Sequence, residues 1–178
     1  MDSFKRVFFY MWAKGAMDYI SLDSFPHYTE CARLVFSLGY QLVELKISPQ
    51  HGTTHILAVI AAKDSSSVIG VDDCSKVHHA LLPLLEELLG TDDTYMELTS
   101  PGMERNIRNA AEFPLFIGRG LRVWDRTVSD WVCGTLVAAD TQSLTLECTQ
   151  TVDAGGDIAV PRRIVSYADI AKAKFIHL

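Results

Sequence analysis

The chain has 178 residues, enough for one ordinary domain or two small ones, and 48% of them are hydrophobic against 21% charged. That composition can fill a core and excludes wholesale disorder. No apolar run approaches the ~20 residues of a membrane helix. The longest, Val7 to Ala13, is bracketed by Arg6 and Lys14 and is followed by no small-residue cleavage site, so neither a membrane span nor a secretory leader is expected and the cytoplasm is the expected address.

The net charge is −6, and it is unevenly spread: residues 1–100 hold 7 basic and 13 acidic side chains, whereas residues 101–178 hold 9 of each. The first part would be repelled by phosphate and drawn to basic proteins; the second can present a local basic patch. Cys31, Cys74, Cys133 and Cys148 lie 43, 59 and 15 residues apart, without the spacing of a zinc knuckle or a redox dithiol. Free buried thiols are expected, with no disulfide and no metal.

Residues 1–26 read as an N-terminal extension containing Phe4, Phe8, Phe9, Tyr10, Trp12 and Tyr19 with no clean period. It suits a helix packed on the body or an appendage, and a start of translation at Met11 or Met17 is a third reading. After Pro26, Cys31, Leu34, Val35 and Leu38 make one helical stripe, with Gly39 suited to the left-handed residue that follows a helix. Tyr40 to Ile47 reads as a strand with Val43, Leu45 and Ile47 on one face, Ser48 to Gly52 as a turn, and His55 to Ala62 as a strand in the middle of a sheet. A second helix starts at Asp72 or Asp73, buries Val77, Leu81, Leu84, Leu85 and Leu88, and closes at Gly90. Pro83 should kink it or break it near His79. Thr94 to Thr99 is a short third strand, so residues 27–100 form a two-layer α/β domain.

Ser100-Pro101-Gly102 reads as a turn at a domain boundary. Beyond it, in residues 101–178, the rhythm becomes short strands at Leu121–Trp124, Trp131–Ala138, Leu144–Cys148, Ile158–Val160 and Phe175–Ile176, with turns at Ser129-Asp130, Asp140-Thr141 and Gly155-Gly156. That rhythm predicts a small closed β-barrel. The whole is α+β.

Motifs of catalysis are sparse. Ser100 precedes Pro-Gly and lacks the Gly-x-Ser-x-Gly context of a nucleophile. His78 and His79 are adjacent, hence about 100° apart on a helix and unable to chelate one ion. The pairs Asp72-Asp73, Glu86-Glu87 and Asp92-Asp93 are explained by capping, a solvated helix face and a turn. No phosphate-binding glycine loop and no His-Glu-x-x-His is present. The arginines are more suggestive: Arg105 and Arg108, then Arg119, Arg122 and Arg126, then Arg162-Arg163, with Trp124 and Trp131 close by in sequence. Arginine matches phosphate bidentately and stacks on bases. On spacing alone this half suits nucleic-acid contact and a merely solvated surface equally, and the two tryptophans suit barrel core better than a binding surface.

Two stretches resemble the bacterial ribosome maturation factor RimP family: Val71-Asp72-Asp73-Cys74-Ser75-Lys76-Val77, and Tyr95-Met96-Glu97-Leu98-Thr99-Ser100-Pro101-Gly102-Met103-Glu104-Arg105. Weaker agreement lies in Gly39 to Val43, Phe113 to Gly118 and Ile170 to Phe175, so the likeness spans roughly residues 27–178. The resemblance implies an Sm-like, SH3-like barrel after the α/β domain. It also implies a non-catalytic cytoplasmic factor, without cofactor, that binds the immature 30S subunit and assists its assembly. The implied partner within that subunit is a basic small-subunit ribosomal protein, which suits the charge of the acidic domain; from the residues themselves, Arg105, Arg108, Arg119 and Arg122 are expected to meet 16S rRNA phosphates near the domain junction. The chain would be a monomer, with Ser100-Pro101-Gly102 fixing how its domains face each other and Arg105 either touching RNA or bracing the domains. The alternative is a stand-alone Sm-like module acting on mRNA or small RNA, which would need an oligomeric ring or a basic pore. A small hydrolase using Ser100 would need a histidine within hydrogen-bond range.

Overall fold

In the computed structural model of the chain, the described residues are 15–64, 67–102, 105–148, 151–152, 158–159 and 161–176. They divide into two compact units, one of residues 21–102 and one joining residues up to Ile20 with those from Met103 onward. Most of the N-terminal extension, Met11 within it, and the Gly155-Gly156 turn lie outside the described residues.

The first unit runs as a 3-10 turn (Leu22–Ser24), α1 (Tyr28–Ser37), β1 (Tyr40–Gln50), β2 (Thr53–Ala62), α2 (Val71–Leu89) and β3 (Thr94–Thr99). The sheet order is β1-β2-β3, with β1 antiparallel and β3 parallel to the central β2. A parallel neighbour needs a crossover, which α2 supplies. Both helices lie over one face of the sheet. Tyr28, Cys31 and Val35 of α1 and Val77, Leu81 and Leu85 of α2 close over Ile56, Ala58 and Ile60, every second residue of β2. This is the two-layer α/β arrangement the sequence predicts.

Three local readings change. The β1–β2 turn is only His51-Gly52, both at positive φ (50° and 96°), which is the two-residue type I′ geometry, so Ser48 to Gln50 stay in the strand. Pro49, which cannot donate a ladder bond, is tolerated because β1 is an edge. The register slips between Leu42 and Glu44, making Val43 the extra residue of a bulge. The face turned to the helices is therefore Leu42, Leu45 and Ile47 rather than Val43, Leu45 and Ile47. Helix α2 begins a residue earlier than expected, with Gly70 as its cap, and Asp73 accepts the Gly70 N–H at 2.8 Å. It continues through Pro83 without a break. Pro83 lies on the exposed side of α2, where water can serve the carbonyl that the missing N–H leaves free. Gly90 closes it at φ 66°, as expected.

The second unit contains β4 (Asn106–Ile107), a 3-10 helix (Ala110–Phe116), β5 (Gly120–Asp125), β6 (Asp130–Ala139), β7 (Ser143–Cys148), β8 (Thr151–Val152), β9 (Ile158–Ala159), β10 (Arg162–Ser166), a 3-10 turn (Tyr167–Asp169) and β11 (Ile170–Phe175). Six strands form one antiparallel sheet in the order β10-β7-β6-β5-β11-β4; β8 and β9 pair separately. The closed barrel is not what the pairing gives: among the described residues no ladder joins β10 to the far edge. The second edge of β11 is instead taken by β4, Ala173 opposite Ile107 and Lys174 opposite Asn106. Residues β4 and β10, absent from the sequence reading, are short or charged, and carry little apolar signal.

Residues 17–20 are held against this second unit. Asn109 does most of the holding: its Oδ1 accepts from Ile20 N at 2.9 Å and from Ala111 N at 3.1 Å, and its Nδ2 donates to the Ile20 carbonyl at 2.7 Å. Met17 N donates to the Tyr167 carbonyl, Ala110 N to that of Asp18, and the Tyr19 ring stacks on Tyr167.

Candidate nucleic-acid interface

Strand parity decides which side chains the second unit presents. On β5, Leu121, Val123 and Asp125 are buried, so Arg122 and Trp124 point to the opposite face. Across β6, Arg122 is opposite Cys133 and Trp124 is opposite Trp131; across β11, Lys172 is opposite Trp124 and Lys174 opposite Arg122. Directly opposed residues share a face. Arg122, Trp124, Trp131, Lys172 and Lys174 therefore form one cluster on the outer side of the sheet. The two indole rings meet edge to face, centroids 5.6 Å apart at 83°. The Arg122 guanidinium carbon lies 4.8 Å from the Trp131 centroid, within cation–π range.

The tryptophans are thus not barrel core. Both are half-buried on the outer face, while Val123 and Val132 take the inner positions.

The four arginines singled out in the sequence do not converge. Arg122 is in the cluster. Arg119, just before β5, lies against aromatic rings of the unit, 5.2 Å from the Phe175 centroid and 5.9 Å from that of Phe116. Arg108 is exposed on the segment after β4. Arg105 is turned inward: its Nη2 and Nε reach Glu112 Oε2 at 3.1 and 3.2 Å, with side chains only 16% and 6% exposed. Its partner belongs to its own unit, so that ion pair braces one unit internally. Lys172 and Lys174 were missed, although Ala173 and Phe175 facing inward put both lysines outward by the same alternation.

Ser100-Pro101-Gly102 has no regular structure and is not a hydrogen-bonded turn, and Gly102 lacks the positive φ of a type II Pro-Gly turn. No hydrogen bond joins Ser100 to a histidine among the described residues. His79 is occupied locally, its Nδ1 2.7 Å from the Ser75 carbonyl oxygen.

Several acidic groups have structural roles. Asp73 accepts from the Tyr40 hydroxyl and from Gly70 N–H, which together hold its carboxyl below the usual range. Glu86 accepts from Thr94 and Asp93 from Thr53, both at 2.9 Å. Asp125 is buried on the inner face; burial acts to raise its pKa, but bonds from Thr127 N–H and hydroxyl and from Arg163 at 2.7 Å outweigh it and hold the carboxyl low. All four cysteines are free, and only Cys31 is fully buried, where loss of solvent pushes its thiol up to about 11. No group of three His, Cys, Asp or Glu capable of holding a metal occurs among the described residues.

Residues 21–102 carry 4 basic and 11 acidic side chains, and eight of those acidic residues are exposed: Asp23, Glu30, Asp64, Asp72, Glu87, Asp92, Asp93 and Glu97. One unit is thus anionic over much of its surface and the other has a cationic, aromatic sheet face.

The family model of the RimP N-terminal domain matches residues 30–104. The chain is also 32% identical over 148 residues to the ribosome maturation factor RimP of Albidiferax ferrireducens, an alignment covering 79% of this chain and 71% of that protein. The chain belongs to the ribosome maturation factor RimP family.

Proposed function

We propose that this chain is a non-catalytic ribosome maturation factor that binds the immature 30S subunit and assists its assembly through binding energy alone. Family membership carries the reading. The charge division supports it: the anionic unit suits a basic small-subunit ribosomal protein, and the cationic side of the second unit suits 16S rRNA phosphates. In this reading Arg108, Arg119 and Arg122, which make no ion pair among the described residues, contribute phosphate contacts separately, while Arg105 serves the fold through Glu112. In this reading the protein acts as a monomer in the cytoplasm, where ribosomal subunits are assembled. No helix among the described residues is long and apolar enough to cross a membrane.

Co-sedimentation of the full chain with immature small subunits tests this. Three phosphate contacts to unpaired RNA give a slope of log K against log salt of about −2, so binding should weaken visibly between low and physiological salt. Cells lacking the protein should accumulate unfinished small subunits. Absence of any salt-sensitive association, with normal levels of finished subunits in depleted cells, refutes the proposal. A ring-sized oligomer in solution would favour a stand-alone RNA module instead.

A further inference from the structure

We infer that the outer face of β5, β6 and β11 is a stacking platform for unpaired bases of single-stranded RNA, built on Trp124 and Trp131 and edged by Arg122, Lys172 and Lys174. This rests on the ribosomal reading for the source of the RNA and specifies which surface meets it.

Three observations converge. Two of the largest apolar side chains of the chain sit half-exposed on the side of the sheet away from the core, directly opposite each other. Their perpendicular contact occupies one ring face and Arg122 another, so two of four faces are not taken by these contacts. Second, the in-register neighbours supply three cations and no carboxylate. Of the nearby acidic groups, Asp125 points inward to Arg163, Glu147 on β7 pairs with Arg162, and Asp130, at the start of β6, stands opposite Asp125 in the register and accepts from Trp131 N–H. Third, Arg122 Nε is buried and donates to no acceptor among the described residues. Buried donors are nearly always satisfied, so this one is suited to completion by a ligand oxygen.

The chemistry selects the occupant. An acidic peptide would satisfy the cations but offer the indole faces nothing planar. A duplex keeps its bases stacked on each other. An unpaired strand supplies planar bases and phosphates at once, and aromatic platforms rimmed by cations bind it with little sequence preference.

The test uses the full chain carrying Trp12→Phe, so that tryptophan emission, excited selectively over tyrosine, comes from Trp124 and Trp131 alone, titrated with a 12-nucleotide oligouridylate. Expected results are salt-sensitive quenching, little quenching by a duplex RNA of equal length, and protection of the exposed Cys133 from maleimide, read by peptide mass. Trp131→Leu should weaken the oligonucleotide about 10-fold. Lys172→Gln, at an exposed site where folding is not at stake, should lower the salt slope by about 0.7. The inference is overturned by absence of quenching, by equal quenching with duplex or with oligoglutamate, or by unchanged affinity in both variants, even if the protein still co-sediments with immature subunits. Conversely, oligonucleotide quenching without co-sedimentation would support the platform and refute the ribosomal role.

Discussion

Replacing Arg105 by methionine separates a structural arginine from a nucleic-acid-binding one. The Glu112 carboxylate is 6% exposed and receives two bonds from the Arg105 guanidinium, which is itself 16% exposed. Arg105→Met would leave a charge in a site with little water. Breaking a buried ion pair in this way costs about 3–5 kcal/mol, and the residual access of Arg105 places this pair near the lower end, about 3 kcal/mol. For a unit of this size that lowers the melting midpoint by about 12–24 °C. Removing both charges, as Arg105→Met with Glu112→Leu, should recover most of the loss, to within about 1 kcal/mol of the parent. The assay is thermal unfolding of the parent, both single variants and the double variant at neutral pH, with co-sedimentation on immature small subunits measured well below every midpoint. Association should be unchanged in Arg105→Met. A cost under about 1 kcal/mol together with lost association would show that Arg105 works outward, on RNA, and that the ion pair is incidental.

The remaining predictions concern the same unit and the first helix. A β-carbon on Gly134 would stand 2.5 Å from the Glu147 carbonyl oxygen and 2.9 Å from its carbonyl carbon, both backbone atoms; Gly134→Ala should therefore cost about 2–3 kcal/mol in thermal unfolding, and an unchanged midpoint would refute so close an approach of β6 and β7. Asp125 has its carboxyl below the ordinary range, so its contribution is full above the unfolded aspartate value and disappears as pH falls through the lower folded value. Asp125→Asn should cost about 1–2 kcal/mol at neutral pH and flatten the acid limb of the stability profile; a parallel profile would contradict the assignment. Native alkylation at pH 8 should label Cys133 readily and spare Cys31, whose thiol is pushed up to about 11 by burial, until the chain is denatured; early labelling of Cys31 would contradict its burial on the inner face of α1.

How much of this was legible in the sequence depends on whether the signal was local. Thr94 to Thr99 could be read to the residue, and the α1 and α2 stripes lay close to the observed core, because burial there follows a helix or strand period. The bulge at Val43 could not be read, since it exists only relative to the register of β2. The attachment of residues 17–20 to Asn109 spans 89 positions and leaves no periodic trace. The Arg105–Glu112 pair was hidden for a related reason: the two are seven residues apart, and only the chain's return through β4 into the 3-10 helix that carries Glu112 brings the carboxylate to the guanidinium.

The tryptophans are the instructive case, because the information was present and a stronger expectation masked it. Indole is usually buried, which favours core for Trp124 and Trp131. Yet Leu121 and Val123 must face inward if β5 is to contribute to any core, and a strand cannot turn two successive residues to the same side. The parity of β5 therefore sends Arg122 and Trp124 outward, pairing carries Trp131 with them, and the inward Ala173 and Phe175 send Lys172 and Lys174 to the same face. Counting arginines along the chain groups Arg105 with Arg122 because both are cationic; counting by two divides them, one bound to a buried carboxylate and the other laid on an indole.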